Sequence, residues 1–300
     1  YKKRVFVFYY VENMEFKRYE TKEKFLEENL DILVKEEAKN DIIIGIVFEH
    51  ESEKVNNWLL GRIEEAGEVK AIFIVDDDKY GLALYSPTGE MTNETIDFLV
   101  DNIVDLDIRL AEILAEKKYL QKIADTYISK TNAEVFYSYY SYTLKLKEVK
   151  TEYPLGENEK LVKLVDEKDN PEHLIPLVKE IYTDIYEEEE CSDEEALKVA
   201  KIYLKKGIYL LTNNDENEIY TQAVHVRKHV NGGAIGAVIT PKEHRGKGYA
   251  KKCVSHVCKE ILKDNEFVVL HVDVENKSAM SVYKKIGFEE IDETGKIIFK

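Results

Sequence analysis

The residues best suited to chemistry in this sequence sit between positions 245 and 250. Arg245-Gly246-Lys247-Gly248-Tyr249-Ala250 sets two glycines and two cations in a turn that runs into a helical pattern. Glycine accepts positive φ angles and lets a bulky ligand approach the main chain. A loop of this kind leaves backbone N–H groups unpaired at the positive end of a helix dipole, and that arrangement holds phosphate. Further along, Asn276 and Tyr283 stand seven residues apart, about two helical turns, so one helix face carries both. A carboxamide can donate and accept toward the amides of a ligand. A phenol, with an ordinary pKa near ~10, can give a proton to a departing anion.

These groups need elements to position them. Ala234 to Thr240 reads as a buried strand, and Pro241 opens the turn that follows. Behind the loop, Ala250, Cys253, Val254, Val257, Cys258, Ile261 and Leu262 recur at helical spacing on one face. Lys251, Lys252, Ser255, Lys259 and Lys263 take the other face. A second apolar strand, Phe267 to Val274, precedes the helix of Asn276 and Tyr283, in which Ala279, Val282 and Ile286 read as core.

In this order the segments carry a resemblance. Arg245-x-x-Gly248-x-Ala250 after an apolar strand resembles the pyrophosphate loop of the GNAT acetyltransferase superfamily, whose pattern is (Gln/Arg)-x-x-Gly-x-(Gly/Ala). Asn276-Lys-Ser-Ala-Met-Ser-Val-Tyr283-Lys-Lys-Ile-Gly-Phe288 is similar to its Asn-x-x-Ala-x-x-x-Tyr-x-x-x-Gly-Phe block. The resemblance covers about residues 151 to 300. It implies an α/β (α+β) fold of the GNAT type, with a mixed, mostly antiparallel sheet flanked by helices. It also implies a catalytic domain at 151–300 that transfers an acetyl group from acetyl-CoA to a small-molecule or peptide amine.

Acyl transfer from a thioester to an amine asks four things of a site. It must hold the donor, polarise the carbonyl, present a neutral amine and protonate the leaving thiolate. By the resemblance, the amides of Arg245, Gly246, Lys247, Gly248, Tyr249 and Ala250 cradle the pyrophosphate of coenzyme A. The central strand splays from its neighbour, and free backbone groups near Val238, Ile239 and Thr240 meet the pantetheine arm and the carbonyl. Asn276 and Ala279 complete the donor site, and Tyr283 is the acid. Many members of the superfamily take a carboxylate on or beside the central strand as base. Here that strand has none, and His225, His271 and Asp273 are possible substitutes among which the sequence does not choose. Attack is direct, since Cys253 and Cys258 face the core and suit no acyl-enzyme. The alternative is a non-catalytic acyl-CoA-binding or sensing protein, which would keep the loop and use Tyr283 for packing.

Upstream, residues 14–150 alternate strand and helix. Phe16 to Tyr19 suits a strand and Thr21 to Asn40 a helical region; Val69 to Val75 and Tyr80 to Tyr85 form a hairpin around Asp76–Lys79. Helices are expected at Asn93 to Asp105 and Glu116 to Ser129, and a tyrosine-dense strand pair at Ala133 to Val149. Leu82-Ala-Leu-Tyr-Ser-Pro87 before a helix echoes Ala237-Val-Ile-Thr-Pro241, but its loop, Thr88-Gly-Glu-Met-Thr, lacks the basic residue and the second glycine. This half therefore reads as a degenerate GNAT-like domain or as an unrelated α/β domain of similar size; the first reading gives two tandem domains and resembles a known bacterial two-domain GNAT arrangement. Residues 1–13 read as an extension, and Lys150 to Glu159 as the linker.

Beyond the linker come a strand at Lys160 to Val165 and a helix with Leu174, Leu177, Val178, Ile181, Tyr182 and Ile185 on one face. A second helix opens on a capping box, Ser192 with Glu195. In the superfamily these helices frame the acceptor side. The run Glu187–Glu190 between them reads as solvated surface or as an attractor for a cation. Strands Ile208 to Leu211 and Ile219 to Arg227 lead into the central strand.

The chain has 300 residues, a net charge of −16 and a pI near 5.1. Such a balance argues against nucleic acid, whose binders carry a basic stripe, and suits either a cationic acceptor such as an amine or polyamine, or plain solubility. Three cysteines form no disulfide framework and point to a reducing cytoplasm. No stretch reaches the ~20 apolar residues of a membrane span, and no spacing suggests a metal site. The sequence leaves the oligomeric state open.

Overall fold

The computed structural model describes residues 14–49, 58–75, 81–165, 169–185 and 191–300. The expectations for residues 1–13, for the Asp76–Lys79 turn and for Glu187–Glu190 lie outside the described residues. By contacts the chain forms two units, residues 14–142 with 292–300, and residues 143–291.

The first unit runs β1 (Met14–Tyr19), α1 (Lys22–Leu33), α2 (Asp41–Glu49), β2 (Leu59–Glu65), β3 (Glu68–Val75), β4 (Gly81–Tyr85), α3 (Asn93–Asp105), β5 (Glu112–Glu116) and α4 (Lys117–Thr131). Strand β6 (Val135–Leu146) then carries the chain into the second unit. Strands β1 to β4 pair antiparallel in sequence order, and β4 pairs β5 in parallel. Alternation along the strands sorts their side chains onto two faces. On one, Leu60, Ile72, Ile74, Ala83 and Tyr85 pack with Phe25, Leu33, Ile44 and Val47 from α1 and α2. On the other, Leu59, Ile63, Phe73, Leu82 and Leu84 pack with Leu99, Ile103, Leu120, Ile123 and Tyr127 from α3 and α4.

The second unit repeats this order. It runs β7 (Lys160–Leu164), α5 (Ile175–Ile185), α6 (Asp193–Lys206), β8 (Ile208–Thr212), β9 (Ile219–Lys228), β10 (Gly232–Ile239), α7 (Tyr249–Ile261), β11 (Phe267–Asp273) and α8 (Lys277–Ile286), and β12 (Glu289–Phe299) follows, most of it belonging to the first unit. Strands β7 to β10 are again antiparallel and β10–β11 again parallel. Leu177, Val178, Ile181, Ala196, Ala200 and Leu204 from α5 and α6 pack on Ile208, Leu210, Val224 and Ile239. Helix α7 packs on β8, β9, β10 and β11, with Cys253, Val254, Val257, Cys258 and Ile261 buried. A Cβ at Gly233 would stand 3.1 Å from Ile261, so Gly233 faces α7.

Three expectations change. The tyrosine-dense segment is one strand, β6, and not a pair. Ser255 is buried within α7, because its hydroxyl donates to the Lys252 carbonyl (3.0 Å) and so pairs inside the helix. The units divide near Tyr142 and Ile291, and not at a single linker near residue 150. The cause is β12, whose Thr294–Ile298 pairs antiparallel with Glu112–Glu116 of β5, while Ile297 and Phe299 enter the first unit's core. In the second unit, the position beside β11 is taken by the end of β6. The expected linker lies along α7 and α8. Glu159 pairs with Lys252 at 2.6 Å, Glu152 pairs with Lys259, Tyr153 lies under Lys251, and its hydroxyl donates to the Lys285 carbonyl.

Candidate functional site

Strand β10 is anchored at one end and open at the other. It pairs with β11 at Gly232–Phe267, Gly233–Val268 and Ala234–Val269, and the ladder ends there, although β11 continues to Asp273. Beyond Ala234 the two strands part, as the resemblance implied. On the other side β10 stays on β9, with a register shift between Gly236 and Ile239. One extra residue is accommodated there as a bulge, and Ala237 takes a φ of +48°, a conformation costly for a residue with a Cβ.

The side chains around the bulge fasten it to β9. The Thr221 hydroxyl donates to the Ile239 carbonyl (2.8 Å), and the Thr240 hydroxyl donates to the Thr221 hydroxyl (2.9 Å). Ile239 and Thr240, expected among the donor-binding groups, thus have these carbonyl and hydroxyl groups turned to β9. Buried Gln222 donates from Nε2 to the Ala237 carbonyl at 3.0 Å. Sequence reasoning missed Gln222. The available signal was a long polar side chain in a strand whose neighbours on both sides are apolar.

Past the strand, Lys242–His244 forms a 3-10 turn that delivers the chain to the glycine loop. Gly246 and Gly248 take φ values of +78° and +84°, and Gly248 is the N-cap of α7. A Cβ at Gly246 would meet nothing within 4 Å, so the main chain is open to a ligand there. Helices α1, α3, α6 and α8 have side-chain caps from Thr21, Thr92, Ser192 and Asn276; α7 has none. Its first-turn amides lack intrahelical partners by geometry. Tyr249 opens that turn and stacks on Tyr220 with centroids 4.4 Å apart, and His244 packs edge-on to Tyr220. The aromatic brace fixes the helix start from behind.

The expected cation of the loop has another task. The Arg245 guanidinium donates from Nε to the Thr240 carbonyl (2.9 Å), and from Nη2 to Glu180 (2.8 Å) and Asp184 on α5. Burial pushes the Asp184 carboxyl up, but the hydrogen bond and charge of Arg245 together with Lys242 outweigh it and leave the group below its ordinary value. Arg245 therefore ties strand end, loop and α5 together; contrary to expectation its amide is not free for the cradle, because it donates to the Lys242 carbonyl (3.4 Å) to close the 3-10 turn. Lys247 is exposed.

Asn276 caps α8, its Oδ1 accepting from the Ala279 amide at 3.0 Å. Its Nδ2 is the part of the carboxamide outside that cap. Ala279 is half-buried and Ile286 fully buried. Tyr283 is 7% exposed, with its ring edge-on to Phe288. Burial, with Cys258 nearby, pushes its phenol well above the ordinary tyrosine value. Its described neighbours therefore belong to the α7–α8 core and not to the glycine loop.

The three possible bases fall in different surroundings. His225 lies against Gly233 on the α7 face, and burial, then Lys228 and Lys163, hold its imidazole down at about 4. His271 meets the Thr143 hydroxyl through Nδ1 at 3.2 Å. Asp273 accepts from the Glu275 amide at 2.7 Å in the turn before α8. Burial pushes the Cys253 thiol up to about 12, and raises that of Cys258 too, which suits neither to nucleophilic attack. Among the described residues no group of three or more His, Cys, Asp or Glu is placed to hold a metal ion, and no helix is long and apolar enough to cross a membrane.

The corresponding loop of the first unit is built differently. Gly89 has a φ of +67°, and its carbonyl accepts from Lys118 Nζ at 2.9 Å. The Thr92 hydroxyl caps α3 by accepting from the Thr95 amide.

Comparison with known proteins accords with this architecture. Residues 211–297 match the family described as FR47-like protein. No curated protein matches the chain. Among solved structures, a Drosophila protein aligns with a TM-score of 0.65 at 10% identity, covering 94% of this chain and 98% of its own. A GCN5-related N-acetyltransferase from Sphaerobacter thermophilus gives 0.58 at 14% identity, covering 95% of each chain. A tandem GNAT protein from the clavulanic acid biosynthesis pathway gives 0.57 at 11% identity, over 95% of this chain and 98% of that one. The fold is thus the GNAT fold in its tandem, two-unit form, and the likeness at these identities is one of fold.

Proposed function

We propose that this chain of tandem GNAT fold is an acetyl-CoA-dependent N-acetyltransferase whose working half is the second unit. The observation that carries the reading is the coincidence of two features on one strand–loop–helix. Strand β10 parts from β11 beside a bulge, and the loop after it enters α7 through two positive-φ glycines with no side-chain cap. The first suits an extended amide-bearing arm and the second a pyrophosphate. Together they fit coenzyme A.

In this reading the amides from Gly246 to Ala250 hold the pyrophosphate, and those around Val238 hold the pantetheine arm and the thioester oxygen. Asn276 offers Nδ2 to the arm. Acetyl-CoA supplies an activated acyl group, and a bound amine attacks it directly, since the buried, protonated cysteines offer no nucleophile. Tyr283, kept protonated by burial, is the donor for the departing thiolate. The acceptor is a small-molecule or peptide amine. The first unit, whose helix start is capped by Thr92, is the degenerate half.

A second reading, an acyl-CoA-binding protein without catalysis, draws on the burial of Tyr283 among Phe288 and Cys258. It shares the donor site and differs only in turnover.

Calorimetric titration of coenzyme A and acetyl-CoA into the wild type and Gly248→Trp tests the donor site. Micromolar binding by the wild type, lost in a variant of unchanged circular dichroism, is the expected result. Absence of binding by folded wild type would remove both readings at once.

A further inference from the structure

We infer that Gln222 is a positioning residue for the acyl group, setting the direction of the Val238 amide by holding the carbonyl before it; the inference rests on the acyltransferase reading above. In an extended residue the N–H and C=O lie on the same side of the strand. A left-handed residue turns its C=O to the opposite side. Ala237, at φ +48°, is such a residue, between Gly236, which still pairs with Val224, and Ile239, which pairs with Gln222. Its carbonyl accordingly turns back to β9 and meets Gln222 Nε2 at 3.0 Å. The next peptide is trans, so the Val238 N–H points the opposite way. That is the side from which β11 has withdrawn.

Among the described residues no other contact fixes this geometry as directly. Alanine has no intrinsic preference for the left-handed region and must be held there by its surroundings. Gln222 is fully buried and its bond to the Ala237 carbonyl is part-buried, so water reaches it only from the Ala237 side. The other contacts at this strand end, from Thr221 and Arg245, reach the Ile239 and Thr240 carbonyls and leave the Ala237–Val238 peptide untouched. Gln222 Oε1 has no described partner, so the side chain is fixed on one side only, by the Ala237 carbonyl. A neutral carboxamide also suits the task, because a carboxylate in its place would repel that carbonyl.

A thioester carbonyl that accepts a fixed N–H is polarised, and its infrared stretch moves to lower frequency. Isotope-edited infrared spectra of [1-13C]acetyl-CoA bound to wild type, Gln222→Met and Gln222→Glu read this directly, with no acceptor amine present. Calorimetry on the same samples gives the affinities. The wild-type band is expected below that of free acetyl-CoA. In Gln222→Met it returns toward the free value, while acetyl-CoA affinity stays within about threefold, since the phosphate cradle is untouched. Gln222→Glu separates positioning from packing. A buried glutamic acid titrates above its ordinary range and can donate to the Ala237 carbonyl only when protonated. Its band is therefore shifted at low pH and lost as the pH rises, whereas the wild-type band does not move with pH. A wild-type band at the free position, or a shift that survives in Gln222→Met, overturns the inference. Loss of acetyl-CoA affinity in Gln222→Met in proportion to the band change makes the residue a strand support only, and overturns it equally. Failure of wild type to bind acetyl-CoA is a separate result, which removes the acyltransferase reading itself.

Discussion

At the scale of single residues the site separates side chains that touch a ligand from those that aim the main chain. Arg245 was expected at the phosphate through its amide, yet that amide donates to the Lys242 carbonyl and its guanidinium to Thr240, Glu180 and Asp184. Asn276 spends its oxygen on capping α8. Tyr283 is the position where catalysis and packing make opposite forecasts. Its phenol is buried and held above its ordinary value, which keeps it protonated and able only to donate. Tyr283→Phe removes one oxygen and leaves the ring against Phe288. For a general acid, kcat with acetyl-CoA and an amine should fall about 100-fold or more with acetyl-CoA affinity unchanged. Equal turnover in the two proteins would assign the ring to the core alone.

At the scale of elements, the loop depends on a helix that contributes nothing to the phosphate cradle. Glu180 on α5 accepts from the Lys242 amide (2.9 Å) and from Arg245, and Asp184 pairs with Arg245 and Lys242. These pairs are partly exposed, with Arg245 at 43%, so each contributes modestly on its own. Together they hold both ends of the turn that leads into α7. The double variant Glu180→Gln, Asp184→Asn should lower acetyl-CoA affinity about fivefold to tenfold by calorimetry, through a loosened loop. Long-range electrostatics predicts the reverse, because removing two negative charges near an anion site strengthens anion binding. A gain in affinity would therefore refute the anchoring role.

The same elements show what could be read in advance. Periodicity located α7, since Cys253, Val254, Val257, Cys258 and Ile261 are all buried, and the Ser192–Glu195 capping box forms as spaced. The glycine loop was legible because glycine at positive φ is a local requirement. Gln222 was not, because its partner is a carbonyl 15 residues away, brought near by strand pairing. Nor was Ala237, whose left-handed backbone no alanine announces.

For the whole molecule, the informative strand is β12. Chain order assigns it to the second half, but pairing with β5 and the burial of Ile297 and Phe299 give residues 292–299 to the first unit's sheet and core. Sequence patterning could not foresee this, since a strand whose apolar residues are Ile291 and the run Ile297–Phe299 does not say which sheet it joins. Ile297, 2% exposed, tests it. Ile297→Ala should cost about 3 kcal/mol and should speed amide hydrogen exchange in β5, β4 and α4. Protection of β8, β9 and β10 should change little. The opposite pattern would mean that β12 supports the second unit.

This exchange also bears on the order in which the protein can mature during translation. The second unit is one continuous stretch, residues 143–291, whereas the first is interrupted and incomplete without 292–299. A nascent chain extruded from its N-terminus offers β5 its partner β4 on one edge, but no strand for the other edge until the entire second unit has left the ribosome. The later-made half can close first, and the earlier-made half must wait with one edge of its sheet uncovered. An uncovered edge is a template for pairing with other chains. The interval between synthesis of β5 and arrival of β12 is thus the period in which this protein is most exposed to aggregation, and in which a chaperone would find it.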